Sequence, residues 1–330
     1  GIRRRLDDNV EMPLFFGPYV RDRIRKARTK VRGRSFDALI GFFPWCAVVA
    51  PEIPTFLFRD VSYETLIQPD SEYPIFHNLP PATEKYIYRA ELEAIQNAAA
   101  HFYSSDWAID KFRAFAGNVP LRIFKAHFGS NLPYPPTREE AQAAIAKRAN
   151  EPLRLLFNGR EWGRKGGPKA LAIAEGLRQR GLKFDFHVAG IDRKNLDLPA
   201  WVTSARHFDL SNPGEAAELT RLFLQSHLLL LPSYGEAFGI AYYDAAACGV
   251  PSIGHQIQGI EPGLLSQSRF LFSRDTSAEE IAETLAPLLH DREGWTQRSL
   301  QARGEYEQTN WETSAAFILD RILETIEERI

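Results

Sequence analysis

The sequence predicts two α/β domains, each built on a parallel sheet. Short apolar runs alternate with helical stretches on both sides of a proline-rich linker over 132–152, and this alternation is typical of parallel sheets. The length of 330 residues suits two domains of about 150 residues each. In this architecture a ligand binds at the carboxyl ends of the strands, in the crevice between the domains.

Composition and charge exclude several classes of protein. The 40 basic and 42 acidic residues give a net charge of −2, which excludes a globally basic nucleic-acid binder. Two cysteines are too few for a disulfide framework or a cysteine-based zinc site, and they predict buried thiols in a reducing compartment. No apolar run reaches the roughly 18 residues of a membrane span, and the start is too charged for a signal peptide. We therefore expect a cytoplasmic protein.

The elements of the first half are predicted from apolar runs and helical periodicity. The alternation then resumes after the linker with stronger signals, and the chain from 278 onward reads as helical almost to its end. The predicted strands cover 36–50, 55–58, 99–104, 121–125, 153–158, 184–189, 228–231 and 251–254; the predicted helices cover 83–98, 107–116, 169–180 and 213–226.

The first 34 residues are strongly basic. They carry eleven basic and four acidic side chains, a net charge of +7. Val20, Ile24, Ala27 and Val31 recur at helical spacing, which leaves the basic groups on the other faces of a helix. Two interpretations stay open: a solvated helix that rests on the core through this narrow stripe, or a patch for an anionic membrane or acceptor.

A cationic, glycine-rich turn follows the strand predicted over 153–158. Glycines in this turn allow close approach of the backbone to a ligand, while Arg160, Arg164 and Lys165 supply positive charge suited to phosphate. The turn lacks the Walker A and Gly-x-Gly-x-x-Gly patterns, so neither ATPase activity nor dinucleotide binding follows. The alternative is a solvated loop.

A second segment, over 228–251, places acidic residues at the start of a helix. The strand ends at Pro232, and the helix begins near Phe238, where free N–H groups and the helix dipole favour a diphosphate. Glu236 precedes this helix start, and Asp244 lies eight residues on, about 80° further around the helix, so both acids can face one ligand. The alternative is a helix-start acid and an unrelated surface carboxylate.

Together the two segments resemble the GT-B glycosyltransferases, and in particular retaining glycosyltransferase family 4 (glycosyl transferases group 1). Arg160 and Lys165 match an Arg-x4-Lys pair, and Glu236 to Asp244 matches a Glu-x7-Glu motif with Asp in the last place. Gln258-Gly-Ile-Glu261 is similar to the family's Gly-Gly-x-x-Glu loop. The resemblance implies two Rossmann-like domains facing across a cleft, with a reduced or truncated N-terminal domain. The implied parts are an acceptor-side domain over 1–148, a nucleotide-sugar-binding domain over 149–310 and a final helix over 311–330 that crosses back.

The resemblance also implies a role for each matching residue. Glu236, Lys165 and Arg160 would form the catalytic set, with Arg160 and Lys165 on the pyrophosphate and Glu236 against the transferred sugar. Asp244 would accept hydrogen bonds from the ribose. The remaining donor-site positions are the N–H groups at Phe238, Gly239 and Ile240, and, near the nucleobase, His207–Leu210, which includes Phe208.

The implied chemistry needs no metal and no other cofactor, because the nucleotide-sugar is a substrate and the cations offset the diphosphate charge. Family members retain the anomeric configuration without a protein nucleophile, and the leaving phosphate takes the acceptor's proton. This differs from a two-carboxylate glycosidase. The implied partners are a nucleotide-sugar and a glycan, lipid-linked or small-molecule acceptor.

The sequence departs from the family's pattern in three places. Asp at 244 is one methylene shorter than Glu, so either the helix lies closer to the ribose or the ribose is held less tightly. No strand with a Gly-Gly loop precedes Phe36, which leaves a shortened acceptor domain or a chain, beginning at Gly1, whose start has been lost. Arg59 stands where a histidine of the sugar site is expected, and Arg59 and Asp60 are therefore either sugar or acceptor contacts or ordinary strand-end charges.

Two other functions stay open at this point. A reduced first domain with Arg59 and Asp244 is also compatible with a non-catalytic sugar-nucleotide-binding subunit that partners an active transferase. A GT-B epimerase or phosphorylase is the third hypothesis, although the cofactor-bearing lysine and longer chain expected of phosphorylases are not evident.

Overall fold

The protein folds into two compact α/β units, each with a parallel sheet. The computed structural model describes residues 17–260, 262–263 and 265–329. The first unit contains the described residues up to His127 together with those from Ala315 onward, and the second contains Phe128–Ser314. The predicted fold class is confirmed. Glu261 of the predicted loop motif and Arg3, Arg4 and Arg5 of the basic segment lie outside the described residues.

The first unit has a four-stranded parallel sheet in the order β1-β2-β3-β4. Since parallel crossovers are right-handed, sequential neighbours place their connecting helices on one face. Leu57 of the second strand accordingly packs with Ala94 of the helix over 81–97. The elements are α1 (Gly17–Val31), β1 (Leu39–Gly41), β2 (Thr55–Arg59), α2 (Tyr63–Leu66), α3 (Pro81–Asn97), β3 (Ala100–Tyr103), α4 (Asp106–Ala116) and β4 (Ile123–Lys125).

The second unit has a six-stranded parallel sheet in the order β10-β9-β8-β5-β6-β7. The order reverses between β5 and β8, which is the kind of switch point at which open α/β sheets bind ligands. The elements are α5 (Arg138–Arg148), β5 (Leu153–Asn158), α6 (Gly167–Gln179), β6 (Phe184–Ala189), β7 (Ser204–Arg206), α7 (Pro213–Gln225), β8 (Leu228–Leu230), α8 (Ile240–Ala247), β9 (Ser252–His255), β10 (Arg269–Phe272), α9 (Ala278–His290) and α10 (Arg292–Glu307). The last helix, α11 (Trp311–Glu327), begins in this unit, and its residues from Ala315 onward belong to the first unit.

The boundary between the units differs from the predicted 148/149. Residues 132–152 are not a linker throughout, because they include α5, which begins with a capping box between Thr137 and Glu140. Arg148, at the end of α5, is 2% exposed and donates to backbone carbonyls of Leu224 and Cys248. These bonds attach α5 to the second unit, so the chain enters that unit at Phe128.

Two further corrections concern strands. The apolar run over 36–50 forms only the short β1, and a 3-10 helix, Pro44–Val48, follows it because Pro44 supplies no N–H for a sheet ladder. Strands β7 and β10 were not predicted. Both pair only one neighbour and lie at the two edges of the second sheet.

Candidate functional site

The strand order brings the two predicted segments side by side. β5 and β8 are hydrogen-bonded neighbours, with Leu155 opposite Leu228, so the loops that follow them leave the same edge of the sheet. The N–H of Tyr234 donates to the carbonyl of Arg164 at 2.8 Å. Gly166 has φ +76°, and a Cβ there would lie 1.9 Å from the carbonyl oxygen of Pro232. Glycine is therefore required at 166 both by its φ and by the close approach of the second loop.

An ion pair joins the cationic turn to the acid before the helix. Lys165 Nζ lies 2.6 Å from Oε1 of Glu236, and the two side chains are 17% and 5% exposed. The same carboxylate oxygen accepts a hydrogen bond from Ser233 Oγ at 2.8 Å, and the N–H of Glu236 donates to Gln258 Oε1 at 2.9 Å. Glu236 is therefore fixed from three directions, with a buried carboxylate beside a single lysine.

Arg164 braces the turn rather than pointing away from it. Its Nη1 donates to the carbonyl of Gly235 at 2.5 Å, and its Nη2 lies 2.5 Å from Oε1 of Glu161. The guanidinium also lies 4.0 Å from Oε2 of Glu236. The two cations beside Glu236 therefore differ in role. Arg164 links the loop after β5 to the loop after β8, whereas Lys165 lines a cavity.

A cavity of about 260 Å³ lies at the carboxyl ends of β5, β6 and β7. Arg160 and Lys165 contribute positive charge to its wall, and Asp244 contributes a carboxylate. The cationic turn and α8 therefore border one space, large enough for part of a nucleotide. The lining residues are Asn131, Leu132, Asn158, Gly159, Arg160, Lys165, Gly190, His207, Phe208, Leu210, Leu219, Ala241 and Asp244.

The N-terminus of α8 is built to approach this cavity. Gly239 precedes the helix with φ +81°, and Ile240 is the first helical residue. Ala241 and Asp244, three residues apart, share one helical face and both line the cavity. Phe238 is buried and stacks on Tyr243 at 4.5 Å between ring centroids. Because first-turn N–H groups have no acceptor within a helix, this end provides donors and a positive dipole to an anion.

Asp244 is held by a segment distant in sequence. Its Oδ1 accepts hydrogen bonds from Ser130 Oγ and from the Asn131 N–H, both at 2.7 Å. The residue is 7% exposed. Burial raises the pKa of Asp244 from its ordinary value to about 6, although the bonds from Ser130 and Asn131 act in the opposite direction.

Asp244→Asn is expected to stabilise the protein at pH 8 and to lose that advantage in acid. The raised pKa means that the folded state binds more protons than the unfolded chain between about pH 6 and pH 4, so the ionised carboxylate costs stability above this window. The shift from 3.8 to about 6 corresponds to about 3 kcal/mol. Asparagine keeps an Oδ1 acceptor for Ser130 and Asn131 without the buried charge.

Urea denaturation of both proteins at pH 8 and pH 4 measures this difference. Asp209→Asn is the matched control, because hydrogen bonds from Ser211 lower the pKa of the exposed Asp209 and its neutralisation gives no such gain. An Asp244→Asn protein that is less stable than the parent at pH 8 would contradict the prediction.

A sequence model of the glycosyl transferases group 1 family matches residues 138–306. The match covers just over half of the 330 residues and includes Arg160, Lys165, Glu236 and Asp244. The chain belongs to the glycosyl transferases group 1 family. The segment containing Ser130 and Asn131 precedes the matched region.

Curated relatives of this glycosyl transferases group 1 chain include several D-inositol 3-phosphate glycosyltransferases. A D-inositol 3-phosphate glycosyltransferase of Arthrobacter sp. (strain FB24) is 25% identical over 203 residues, which cover 59% of this chain and 48% of the relative. A protein of the same name from Nocardia farcinica (strain IFM 10152) is 27% identical over 198 residues, 56% of this chain and 43% of the relative. The chain thus spans about half the length of the curated relatives it matches.

Solved structures of similar fold include GT-B glycosyltransferases. Sucrose-phosphate synthase from Thermosynechococcus elongatus has a TM-score of 0.69 at 16% identity, over 96% of this chain and 79% of that one. The Anabaena protein HepE, in complex with UDP and glucose, has a TM-score of 0.62 at 15% identity, over 92% of this chain and 81% of that one. At these identities the likeness shows the fold.

The structure separates the predicted site residues into two groups. Those of the second unit lie together at the switch point: Arg160, Lys165, Phe208, Glu236, Phe238, Gly239, Ile240 and Asp244. Arg59 does not present its charge to a ligand, because its side chain is 2% exposed and pairs with Glu91. Asp60 is exposed where β2 ends.

Several residues around the site were not predicted. Ser130 and Asn131 carry no motif, and only the tertiary fold brings them to Asp244. Ser233 stands three residues before Glu236, a spacing that offered a local signal for its hydrogen bond. Among the residues that the structure describes, no helix is both long and apolar enough to cross a membrane.

Proposed function

We propose that this protein is a retaining glycosyltransferase that moves a sugar from a nucleotide-sugar donor to a glycan, lipid-linked or small-molecule acceptor without a metal. The observation that carries the proposal is the single cavity bordered by Arg160, Lys165, Asp244 and the start of α8, with Glu236 ion-paired to Lys165 beside it. Two cations, a helix N-terminus and an acceptor carboxylate together match the chemistry of a nucleoside diphosphate.

The donor would lie along this cavity from base to sugar. Phe208, Leu210 and Leu219 supply an apolar wall for the nucleobase, and Asp244 accepts from a ribose hydroxyl. The diphosphate lies between Arg160, Lys165 and the N–H groups that begin α8. Since Glu236 pairs with Lys165, the sugar beyond the diphosphate would meet the Glu236 carboxylate.

In the proposed reaction the bond between the anomeric carbon and the diphosphate oxygen breaks. A bond from the acceptor hydroxyl oxygen to the same carbon forms on the same face, and the hydroxyl proton passes to the departing phosphate oxygen. Lys165, Arg160 and the positive end of α8 stabilise the negative charge that develops on the leaving group. The protein therefore supplies electrostatics and orientation, and neither Glu236 nor Asp244 is assigned as a nucleophile.

A donor panel tests the proposed function. UDP-, GDP- and ADP-linked hexoses are incubated with the protein in the presence and absence of EDTA, and slow hydrolysis or transfer is followed by release of the nucleoside diphosphate. Turnover of one donor that EDTA leaves unchanged supports the metal-independent proposal. Nucleotide binding without turnover of any donor supports the non-catalytic subunit instead.

We also propose an anionic membrane as a partner of the first unit. Arg21, Arg25 and Arg28 lie along one face of α1 and Arg32 directly follows its last residue; all four line a groove of about 410 Å³. In the same unit the side chain of Phe42 is 58% exposed. Basic and exposed apolar side chains together favour the surface of an anionic bilayer, where a lipid-linked acceptor of polysaccharide or glycolipid synthesis would be found.

Reversal of three of these charges is expected to abolish co-sedimentation with vesicles of phosphatidylglycerol and phosphatidylcholine. The variant is Arg21→Glu, Arg25→Glu and Arg32→Glu, since these three side chains are exposed. Arg28 is left unchanged because it donates to the carbonyls of Val48 and Val49 and supports the fold. Replacement of Arg178, exposed in the second unit, by Glu is the control. Unchanged co-sedimentation of the triple variant would remove this partner.

A further inference from the structure

The residue that fixes Asp244 comes from the segment by which the chain enters the second unit. The chain enters that unit at Phe128 and leaves it after Ser314. Ser130 is two residues from the entry point and 4% exposed. Its hydroxyl accepts from the Leu132 N–H at 3.1 Å and donates to Asp244 Oδ1 at 2.7 Å. One hydroxyl proton is thereby directed onto one carboxylate oxygen.

The entry segment is itself held in place by the segment that leaves the unit. Trp311 Nε1 donates to the Ser130 carbonyl at 2.8 Å. A Cβ at Gly129 would lie 2.5 Å from the backbone nitrogen of Trp311. The entry segment and the segment at Trp311 are therefore too close for any residue larger than glycine at 129. Phe128 packs edge-on against Trp311 and Phe238, both at 5.5 Å. Ser130 is therefore held by contacts to Trp311, and its segment also contacts Phe238, two residues before α8.

The two oxygens of Asp244 are unequal as a result. Oδ1 accepts short hydrogen bonds from Ser130 and Asn131, whereas no bond of this length reaches Oδ2 from the residues that the structure describes. The Leu132 N–H, which donates to Ser130 Oγ, also lowers the pKa of the carboxyl group. Because Asp244 also lines the cavity, Oδ2 is the oxygen left for a ligand. A carboxylate with one oxygen anchored is restricted in rotation and presents a single acceptor in a fixed direction.

We infer that Ser130 is a positioning residue of the donor site, which anchors Oδ1 of Asp244 so that Oδ2 accepts from one ribose hydroxyl. The inference rests on the proposed function, since the ribose belongs to the proposed donor. It extends the site beyond the matched family region to the chain entry, and it compensates for the short side chain at 244. Aspartate reaches less far than glutamate, so its direction must be fixed.

Binding of UDP-glucose, GDP-mannose and ADP-glucose is measured by calorimetry between pH 5 and pH 8 for four proteins. Both phosphates of these donors are esterified, so neither carries the proton that titrates near pH 6 in a phosphate monoester. The proteins are the parent, Ser130→Ala, Ser130→Thr and Ser226→Ala. Ser226 is the matched control: a fully buried hydroxyl of the same unit that donates to the Leu222 carbonyl.

Ser130→Ala is expected to weaken donor binding about tenfold at pH 8, because a hydrogen bond to a charged group is lost. Ser130→Thr retains a hydroxyl and is expected to restore most of the affinity, while Ser226→Ala leaves it unchanged. The acid limb of the binding profile should also move to higher pH in Ser130→Ala, since the hydroxyl lowers the pKa of Asp244. Other groups that titrate or carry charge nearby are Arg160, Lys165, His207, Cys248 and Tyr306.

Introducing Ser130→Ala into Asp244→Asn distinguishes action through Asp244 from a general structural effect. In that background the further loss of affinity should be less than twofold. A folded Ser130→Ala protein that binds its donor with the parent's affinity and pH profile would overturn the inference, as would an undiminished effect in the Asp244→Asn background.

The same contact is tested without any donor. The pH-dependent stability difference between Ser130→Ala and Ser130→Ala/Asp244→Asn should have a higher midpoint than that between the parent and Asp244→Asn. If this shift appears but the parent binds none of the three donors, the anchoring contact stands and the proposed function fails. If the parent binds a donor and the shift is absent, the proposed function stands and the inference fails.

Discussion

Glu236→Gln is expected to lower turnover about 10²–10³-fold and to leave nucleoside diphosphate binding equal or tighter. Glu236 forms an ion pair with Lys165, with 2.6 Å between Oε1 and Nζ. The same lysine lines the cavity. A neutral amide competes less for Lys165, which leaves the ammonium free for the diphosphate. The lost carboxylate, however, no longer holds the transferred sugar, so only the reaction of the bound donor should be slowed.

Two further variants separate this effect from disruption of the turn. Lys165→Met should lose both binding and turnover, because it removes the cation that lines the cavity. Glu161→Gln is the matched control, since Glu161 lies in the same turn, is paired with Arg164 and is 48% exposed. We expect it to change turnover less than threefold. Steady-state kinetics with calorimetry measure both quantities, and a Glu236→Gln enzyme with parental turnover would remove Glu236 from the catalytic set.

The second unit was predictable because local signals and topology agreed. The strands over 153–158 and 184–189 match β5 and β6 residue for residue, because both are short segments in which apolar side chains predominate. The loops that follow β5 and β8 lie together because these two strands are neighbours in the sheet. The family motifs at Arg160 and Lys165 and at Glu236 and Asp244 predicted that these loops form one site. The distance between Arg160 and Glu236 in sequence was therefore no obstacle.

Tertiary contacts explain what could not be predicted. α5 has a weakly patterned, alanine-rich sequence, and its attachment through Arg148 to carbonyls of other elements leaves no local trace. Ser130 donates to Asp244, 114 residues further along the chain, and no motif around Ser130 predicts this contact. In both cases the partner of a polar side chain is distant in sequence, so only the tertiary fold shows the contact.

For Arg59 the sequence left two interpretations open, a contact to sugar or acceptor and an ordinary charge at the end of a strand. Arg59 follows an apolar strand and precedes Asp60, which is the position of a site residue in a parallel sheet. Its Nη1, however, makes two hydrogen bonds to the Glu91 carboxylate at 2.8 and 2.7 Å, and Nη2 donates to the Tyr103 hydroxyl at 2.6 Å. Tyr63 adds a backbone donor to Glu91 at 2.8 Å. The positive charge of Arg59 is therefore paired inside the first unit, where it links β2 to α3.

Glu91→Ala is expected to destabilise the first unit by about 3–5 kcal/mol, because it leaves the Arg59 guanidinium buried without its counter-charge. Burial alone lowers the pKa of Arg59, and the Glu91 carboxylate reverses this effect and raises it. Deprotonation is not available to arginine at neutral pH, so the unpaired charge must be hydrated by partial unfolding or remain at high cost. The first unit should therefore unfold at a lower urea concentration in Glu91→Ala than in the parent.

Two comparisons test whether the destabilisation of Glu91→Ala comes from the buried charge of Arg59 or from a loss of helix content. Glu93→Ala on the same helix breaks an ion pair to Arg89 whose side chains are 36% and 78% exposed, and it should cost at most about 0.5 kcal/mol. Arg59→Met with Glu91→Leu removes both charges and should recover most of the stability lost in Glu91→Ala. Urea titrations followed by circular dichroism and tryptophan fluorescence measure all three. Equal losses for Glu91→Ala and Glu93→Ala would show that the buried pair carries no special energetic weight. A large, unrecovered loss in the double variant would instead assign the cost to packing around Tyr103 and to the hydrogen bonds lost at the Tyr103 hydroxyl and the Tyr63 N–H.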